Sequence, residues 1–124
     1  MITPIIAAVL SLIYLFLSVR TLRLRRKFQI GVGDSGNLQL LRAVRAHGNF
    51  AEYVPMALLL IYFVEQAHAH AWFVYALGVA LTVGRVSHSY GVSQVNETLI
   101  YRVFGMVCTL NVIGIAALYI LLTA

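Results

Sequence analysis

The sequence predicts an all-α protein, an integral membrane four-helix bundle that forms one domain over residues 1–124. Composition is the first observation, because 61% of the residues are hydrophobic and only 10% are charged, unlike ordinary soluble proteins. Four apolar segments are the second, since a bilayer crossing needs roughly 20 apolar residues. The third is that basic residues cluster beside these segments. A large soluble catalytic domain is excluded, and so is a broad basic surface for nucleic acid.

The first predicted helix covers about residues 2–19, a stretch without any charge. A basic run follows it and contains Arg20, Arg23, Arg25, Arg26 and Lys27. A cleaved signal peptide carries its positive charges before the apolar stretch, so this segment is expected to remain as a membrane helix. Glycine, Asp and Ser in residues 31–36 predict a loop, and Ser35 or Asn37 is expected to cap the next helix.

The second predicted helix covers about residues 37–66 and is apolar only in its later half. At 1.5 Å per residue it is roughly 43 Å long, which exceeds the hydrocarbon core. Its polar half must therefore leave the bilayer or line a protected cavity. Pro55 cannot donate a hydrogen bond to the carbonyl of Ala51, and we expect a kink there.

The third and fourth predicted helices cover about residues 71–90 and 98–124. Small residues that allow close helix packing occur at Ala76, Ala80 and Gly84 in the third helix and at Gly105 and Gly114 in the fourth. Arg and Lys lie near the loops after the first and third helices. The positive-inside rule predicts that these loops are cytoplasmic and that both termini lie on the other side. In a bacterium the membrane is the inner membrane; in a eukaryote it is the endoplasmic reticulum or a related membrane.

Two charged residues fall deep inside the predicted membrane region. Measured from the turn between the second and third helices, Glu52 and Arg85 each lie roughly 20 Å inward at helical rise. An isolated charge at such a depth costs about 2.5 to 3.5 kcal/mol on insertion scales, so each is expected to face the protein interior. The sequence therefore predicts an ion pair between Glu52 and Arg85.

One face of the second helix is polar. Residues 42, 45, 49 and 52 (Arg, Arg, Asn and Glu) share an arc of roughly 80°, and Tyr53 lies beside it. His47 points nearly opposite, where we expect it to orient a neighbouring helix or a second subunit. Arg85, His88 and Ser89 share a face of the third helix, with Tyr90 adjacent, and Arg102 begins the fourth helix at the level of Arg45.

These side chains predict a pocket for an anionic, polar ligand, because guanidinium groups bind carboxylates bidentately. The simpler alternative is that these arginines only fix the orientation of the helices in the membrane, and that the buried charges form one ion pair. Metal binding by His68 and His70 is not expected, because no carboxylate or cysteine cluster accompanies them. The single cysteine, Cys108, lies in an apolar run, where it is expected to be a core residue.

Three stretches resemble motifs of the MAPEG family, the membrane-associated proteins in eicosanoid and glutathione metabolism. RAHGNFAEYVP at 45–55 resembles the signature of the family's second helix, RLRRKF at 23–28 resembles the end of its first helix, and GRVSHS at 84–89 resembles its third-helix motif. The short chain and loops resemble the bacterial members. The resemblance implies a homotrimer with a glutathione site between adjacent subunits near the cytoplasmic side, glutathione being a co-substrate.

Residue roles follow from the same resemblance. It implies that Arg102 stabilises the glutathione thiolate. The implied glutathione-binding residues are Arg23, Arg45, Asn49, Glu52, Tyr53, Arg85 and His88. The chain has Val92 and Val103 where some catalytic members have Tyr and Ser, and Tyr90 is the nearest candidate for the missing Tyr.

Three functional hypotheses follow. The first is a membrane-bound glutathione-dependent transferase or peroxidase that acts on a lipophilic electrophile or a lipid hydroperoxide. The second is a non-catalytic member of the same fold that binds a lipid or a protein partner. The third is a small four-helix transporter, which is disfavoured because such exporters place an essential carboxylate in the first helix, and this chain has none there.

Overall fold

The computed structural model describes residues 1–124 and contains four α-helices and no strand, which confirms the predicted fold class. The helices are α1 (Thr3–Phe28), α2 (Leu38–Gln66), α3 (Ala71–Ser93) and α4 (Leu99–Thr123). The predicted end of the first helix is wrong, because α1 continues through the basic run. Arg and Lys are good helix formers and are favoured near the negative end of the helix dipole. Gln29 in the left-handed conformation then ends the helix.

Local sequence accounts for the other helix ends. The side chain of Asn37 accepts a hydrogen bond of 2.9 Å from the backbone N–H of Leu40, which confirms the predicted cap of α2. The helix continues past Pro55 to Gln66, as membrane helices tolerate proline. α3 ends at Ser93, three residues beyond the predicted end.

The helices run alternately up and down, so both termini lie at one end of the bundle. At that end the carboxylate of Glu65, near the end of α2, accepts hydrogen bonds from the backbone N–H groups of Ile2 and Thr3. Phe73 in α3 and Tyr119 in α4 pack there with ring centroids 5.2 Å apart. The opposite end holds the basic run and the starts of α2 and α4, and we call it the basic end.

The core lies around α2 and α3, each of which packs against all three other helices, whereas α1 and α4 do not contact each other. Buried side chains of the core include Leu10, Ile61, Leu81 and Val112. α1 and α4 are long and apolar enough to cross a membrane by length and composition. Their outward residues, such as Leu12 and Leu118, are apolar and exposed, as a lipid-facing surface requires.

α3 and α4 cross closely at two glycines. A Cβ atom on Gly105 would overlap the carbonyl oxygen of Gly84 and lie 2.6 Å from the Cβ of His88. The prediction of close packing is therefore confirmed at Gly84 and Gly105. It is wrong at Gly114, which has open space around it, and at Ala76, which is exposed.

Candidate functional site

A cavity of about 610 Å³ opens between α2, α3 and α4 at the basic end. Its polar lining consists of Arg42, Arg45, Asn49, His88 and Arg102. Its apolar lining consists of Leu38, Leu41, Val92, Val103, Met106, Val107 and Leu110. This volume lies within the usual range for small-molecule sites, roughly 300–1,000 Å³, and a few polar groups on an apolar wall are typical of such sites.

The polar face of α2 supplies three of these side chains, because residues three, four and seven apart lie on one side of a helix. Asn49 accepts a hydrogen bond of 2.7 Å at Oδ1 from Nη1 of Arg85. The NH₂ group of Asn49 has no partner in the chain, so it is available to a ligand at the cavity wall.

Arg85 lies behind Asn49 and is fully buried, with 0% of its surface exposed. Its guanidinium carbon is 5.8 Å from the centroid of the Tyr53 ring, within cation–π range. Nε and Nη2 of Arg85 have no hydrogen-bond partner. Arg85 therefore reaches the cavity wall only through Asn49, and neither Arg85 nor Tyr53 lines the cavity.

The predicted ion pair between Glu52 and Arg85 is wrong. The carboxylate of Glu52 instead lies 3.7 Å from Nη1 of Arg45, and both side chains are about half exposed. At 100° per residue, Glu52 lies roughly 60° around α2 from Asn49, away from α3. The amide of Asn49 therefore reaches Arg85, while Glu52 is turned toward the surface.

Glu97, in the loop between α3 and α4, was missed by sequence reasoning. Oε1 of Glu97 lies 2.6 Å from Nη1 of Arg42, and Oε2 lies 3.1 Å from Nε of Arg102. The side chain is only 5% exposed. Two features of the sequence could have identified Glu97: it is the only acidic residue after Glu65, and it lies five residues before Arg102.

The predicted common face of Arg85, His88 and Ser89 is divided by the packing. His88 lines the cavity, but Ser89 lies in a groove between α3 and α1. The two residues are adjacent in sequence, and therefore roughly 100° apart on the helix, which is enough to place them against different neighbours. Tyr90 is exposed, and its ring packs edge-on against Tyr101 with centroids 5.2 Å apart.

Arg23 is exposed on α1 and does not line the cavity. Arg102 lines the cavity, whereas α1, which carries Arg23, does not contact α4. Of the predicted site residues, the cavity thus brings together Arg45, Asn49, His88 and Arg102.

His47 lies on the opposite face of α2, as predicted. Its Nε2 is 3.0 Å from Oγ of Ser18, and its ring stacks on Tyr14 with centroids 4.8 Å apart. Both partners belong to α1, which confirms that His47 orients a neighbouring helix.

The protein is therefore a helical membrane protein with an arginine-lined cavity at one end of its four-helix bundle. The chain belongs to the MAPEG family, whose model matches residues 3–122. It is 36% identical over 91 residues to inner membrane protein YecN of Escherichia coli strain K12, covering 73% of this chain and 70% of the relative. The same figures hold for YecN of Escherichia coli O6:H1.

These findings confirm the resemblance to a bacterial member of the family. They also confirm the predicted location, because the chain is an integral protein of the inner membrane.

Proposed function

We propose that the protein is a glutathione-dependent enzyme of the membrane that binds glutathione in the cavity between α2, α3 and α4. Arg102 stabilises the thiolate, which attacks a lipophilic electrophile or a lipid hydroperoxide. The observation that carries this proposal is the convergence of three guanidinium groups, from Arg42, Arg45 and Arg102, on one cavity. Membership of the MAPEG family supports it.

The donors and acceptors around the cavity fit the chemistry of glutathione. Glutathione carries two carboxylates, which suit the guanidinium groups of Arg42 and Arg45. It also carries an ammonium group, for which the carboxylate of Glu52, 3.7 Å from Arg45, is a suitable acceptor. The NH₂ group of Asn49 is free to donate to a peptide carbonyl of the ligand.

Thiolate formation is the chemical task of the site, because the thiolate and not the thiol is the nucleophile. The Arg102 side chain is about half exposed at the cavity and offers a positive charge that favours the thiolate. The proton passes to water at the mouth. The sulfur electron pair then forms a bond to the carbon of the electrophile, and the leaving group departs with its own electron pair.

Reduction of a hydroperoxide begins with the same thiolate. The sulfur attacks the outer peroxide oxygen, the O–O bond breaks, and the lipid alcohol leaves after protonation. A second glutathione then reduces the resulting sulfenic acid, which yields glutathione disulfide and water. The apolar wall formed by Val103, Met106 and Val107 of α4 suits a substrate that enters from the bilayer.

We further propose that the working unit is a homotrimer in which Arg23 of one subunit completes the cavity of the next. The exposed carboxylate of Glu52 supports this assembly. Glu52 pairs only with Arg45, at 3.7 Å, and both side chains are about half exposed, so a neighbouring subunit that covers them would remove a charged pair from contact with lipid. Arg23 is exposed on α1 and so is free to meet a neighbour.

The second candidate is a non-catalytic binding protein with the same cavity. The ion pair between Glu97 and Arg102 favours it, because a carboxylate 3.1 Å from Nε already neutralises the guanidinium that would stabilise a thiolate. Under this alternative the cavity holds a lipid or an anionic ligand without any chemistry.

Equilibrium binding of radiolabelled glutathione to the protein in lipid nanodiscs, followed by turnover of a lipophilic aryl halide, separates these functions. Arg45→Ala is expected to weaken binding, whereas His70→Ala is the control, because His70 is exposed in the turn at the opposite end of the bundle. Binding with turnover supports the enzyme. Glutathione binding without turnover supports the non-catalytic alternative, and absence of glutathione binding contradicts the proposed enzyme.

A further inference from the structure

A groove lies between α1 and α3, and it shares no lining residue with the arginine-lined cavity. Its volume is about 520 Å³. One end is apolar, with Leu12 and Phe16 from α1 and Val86 from α3. The other end is polar, with Arg20, Ser89 and Ser93. The groove is therefore amphiphilic along its length.

Arg20 lacks the partners that a buried guanidinium group requires. Its Nη1 donates a hydrogen bond of 2.8 Å to Oγ of Ser93, but Nε and Nη2 are buried without any acceptor. No carboxylate forms an ion pair with Arg20. Oγ of Ser89 is also buried and has no partner. The Arg20 side chain as a whole is only partly buried, and its charge is not balanced by any group of the chain, so an anion in the groove would stabilise it.

The position of Arg20 identifies the membrane depth of this site. Arg20 is the first charged residue after the uncharged stretch 2–19, so it marks the boundary between hydrocarbon and head groups. Phe16 and Leu12 lie about 6 and 12 Å deeper at helical rise. Both are open to the surroundings, with 65% and 68% of their surfaces exposed. A molecule in the groove thus has its anionic end at the membrane surface and its apolar end in the bilayer.

We propose that this groove binds an anionic phospholipid from the surrounding membrane. The phosphodiester pairs with the guanidinium group of Arg20 at the polar end of the groove, beside Ser89. One acyl chain lies along Leu12, Phe16 and Val86. Phosphatidylcholine carries the same phosphodiester, but its quaternary ammonium adds a second positive charge near Arg20, so a lipid with a net negative head group is favoured. The site adds a function to the protein that does not depend on glutathione.

Native mass spectrometry of the delipidated protein in a nonionic detergent tests the proposal. Dioleoyl-phosphatidylglycerol and dioleoyl-phosphatidylcholine are titrated separately, because they share acyl chains and differ in head-group charge. Wild type is expected to bind one phosphatidylglycerol per chain in preference to phosphatidylcholine. Arg20→Gln is expected to weaken phosphatidylglycerol binding by about tenfold, the size of a charge-assisted hydrogen bond.

Arg26→Gln is the matched control, because it removes the same charge from an exposed position of the same helix. Wild type that binds the two lipids equally overturns the proposal even if no variant folds. Equal weakening by Arg20→Gln and Arg26→Gln also overturns it, since it would reflect net charge alone. Stronger binding of oleate than of phosphatidylglycerol would identify a fatty acid as the occupant. A change in oligomer mass in Arg20→Gln without lipid loss would identify a second copy of the chain.

Discussion

Arg85 and Arg102 lie in two regions of the same bundle and differ in burial and in the groups that they contact. Arg85 is in the interior, fully buried, and contacts the neutral acceptor Asn49 and the ring of Tyr53. Arg102 is at the cavity, about half exposed, and pairs with the carboxylate of Glu97. The comparison shows that a buried arginine here is held by neutral groups, whereas the exposed arginine already holds an anion.

The contacts of Arg85 are therefore structural, whereas those of Arg102 can be exchanged for contacts with a ligand. An anionic ligand can reach Arg102 only by competing with Glu97 or by sharing the guanidinium with it. Arg85 is inaccessible to a ligand, and we expect its effect on binding to pass through the orientation of Asn49. Substitutions in the two regions should therefore change different quantities, stability in the interior and affinity at the cavity.

The largest effect is expected from Gly105→Leu, which fills the crossing of α3 and α4 between these two regions. The added side chain would overlap the backbone of Gly84 and the side chain of His88, so the helices must separate. We expect loss of the folded protein in detergent, measured by thermal unfolding. Gly114→Leu is the control, because nothing lies within 4 Å of that position, and an equal loss there would contradict the role of the crossing.

The interior is tested by two substitutions of Arg85. Arg85→Ala leaves a cavity and removes the donor to Asn49, which we expect to lower the free energy of unfolding by about 2–4 kcal/mol. Arg85→Met fills most of the volume and removes an incompletely paired charge, so its stability is expected to stay within about 1 kcal/mol of wild type. Chemical unfolding in mixed micelles measures both. Equal destabilisation by Ala and Met would show that the charge itself is required.

A smaller effect is expected from Glu97→Gln. Removal of the carboxylate frees the guanidinium groups of Arg42 and Arg102, so glutathione should bind more tightly, by up to about tenfold. Isothermal titration calorimetry at two salt concentrations measures this, with a steeper salt dependence expected in the variant. Weaker binding would show instead that Glu97 holds the two arginines in their binding geometry.

Much of the fold could be predicted because it depends on local patterns. Apolar segments of bilayer length predicted the four helices, Asn37 predicted the cap of α2, and the 3.6-residue period placed His47 on the face opposite Asn49. The first helix was predicted to end at about residue 19, before the basic run, whereas α1 continues through that run to Phe28, because charge reports on membrane boundaries and not on helix ends.

The candidate site was predicted less completely, since helical periodicity shows which side chains share a face but not how a neighbouring helix is rotated. Glu52 and Arg85 have matching depths, but the rotation of α3 presents Arg85 to Asn49. Ser89 was assigned to the wrong side of α3 for the same reason. Glu97 was missed because it lies in a loop, where no period indicates the direction of a side chain.

Stopped-flow ultraviolet absorbance on mixing the detergent-purified protein with glutathione at neutral pH tests the central claim most directly. Wild type and His70→Ala, a substitution at the opposite end of the bundle, are expected to show the thiolate band, and Arg102→Ala is expected to bind glutathione without it. Wild type that binds glutathione but shows no thiolate band, or a band that persists in Arg102→Ala, would contradict the assignment of Arg102 as the group that stabilises the thiolate.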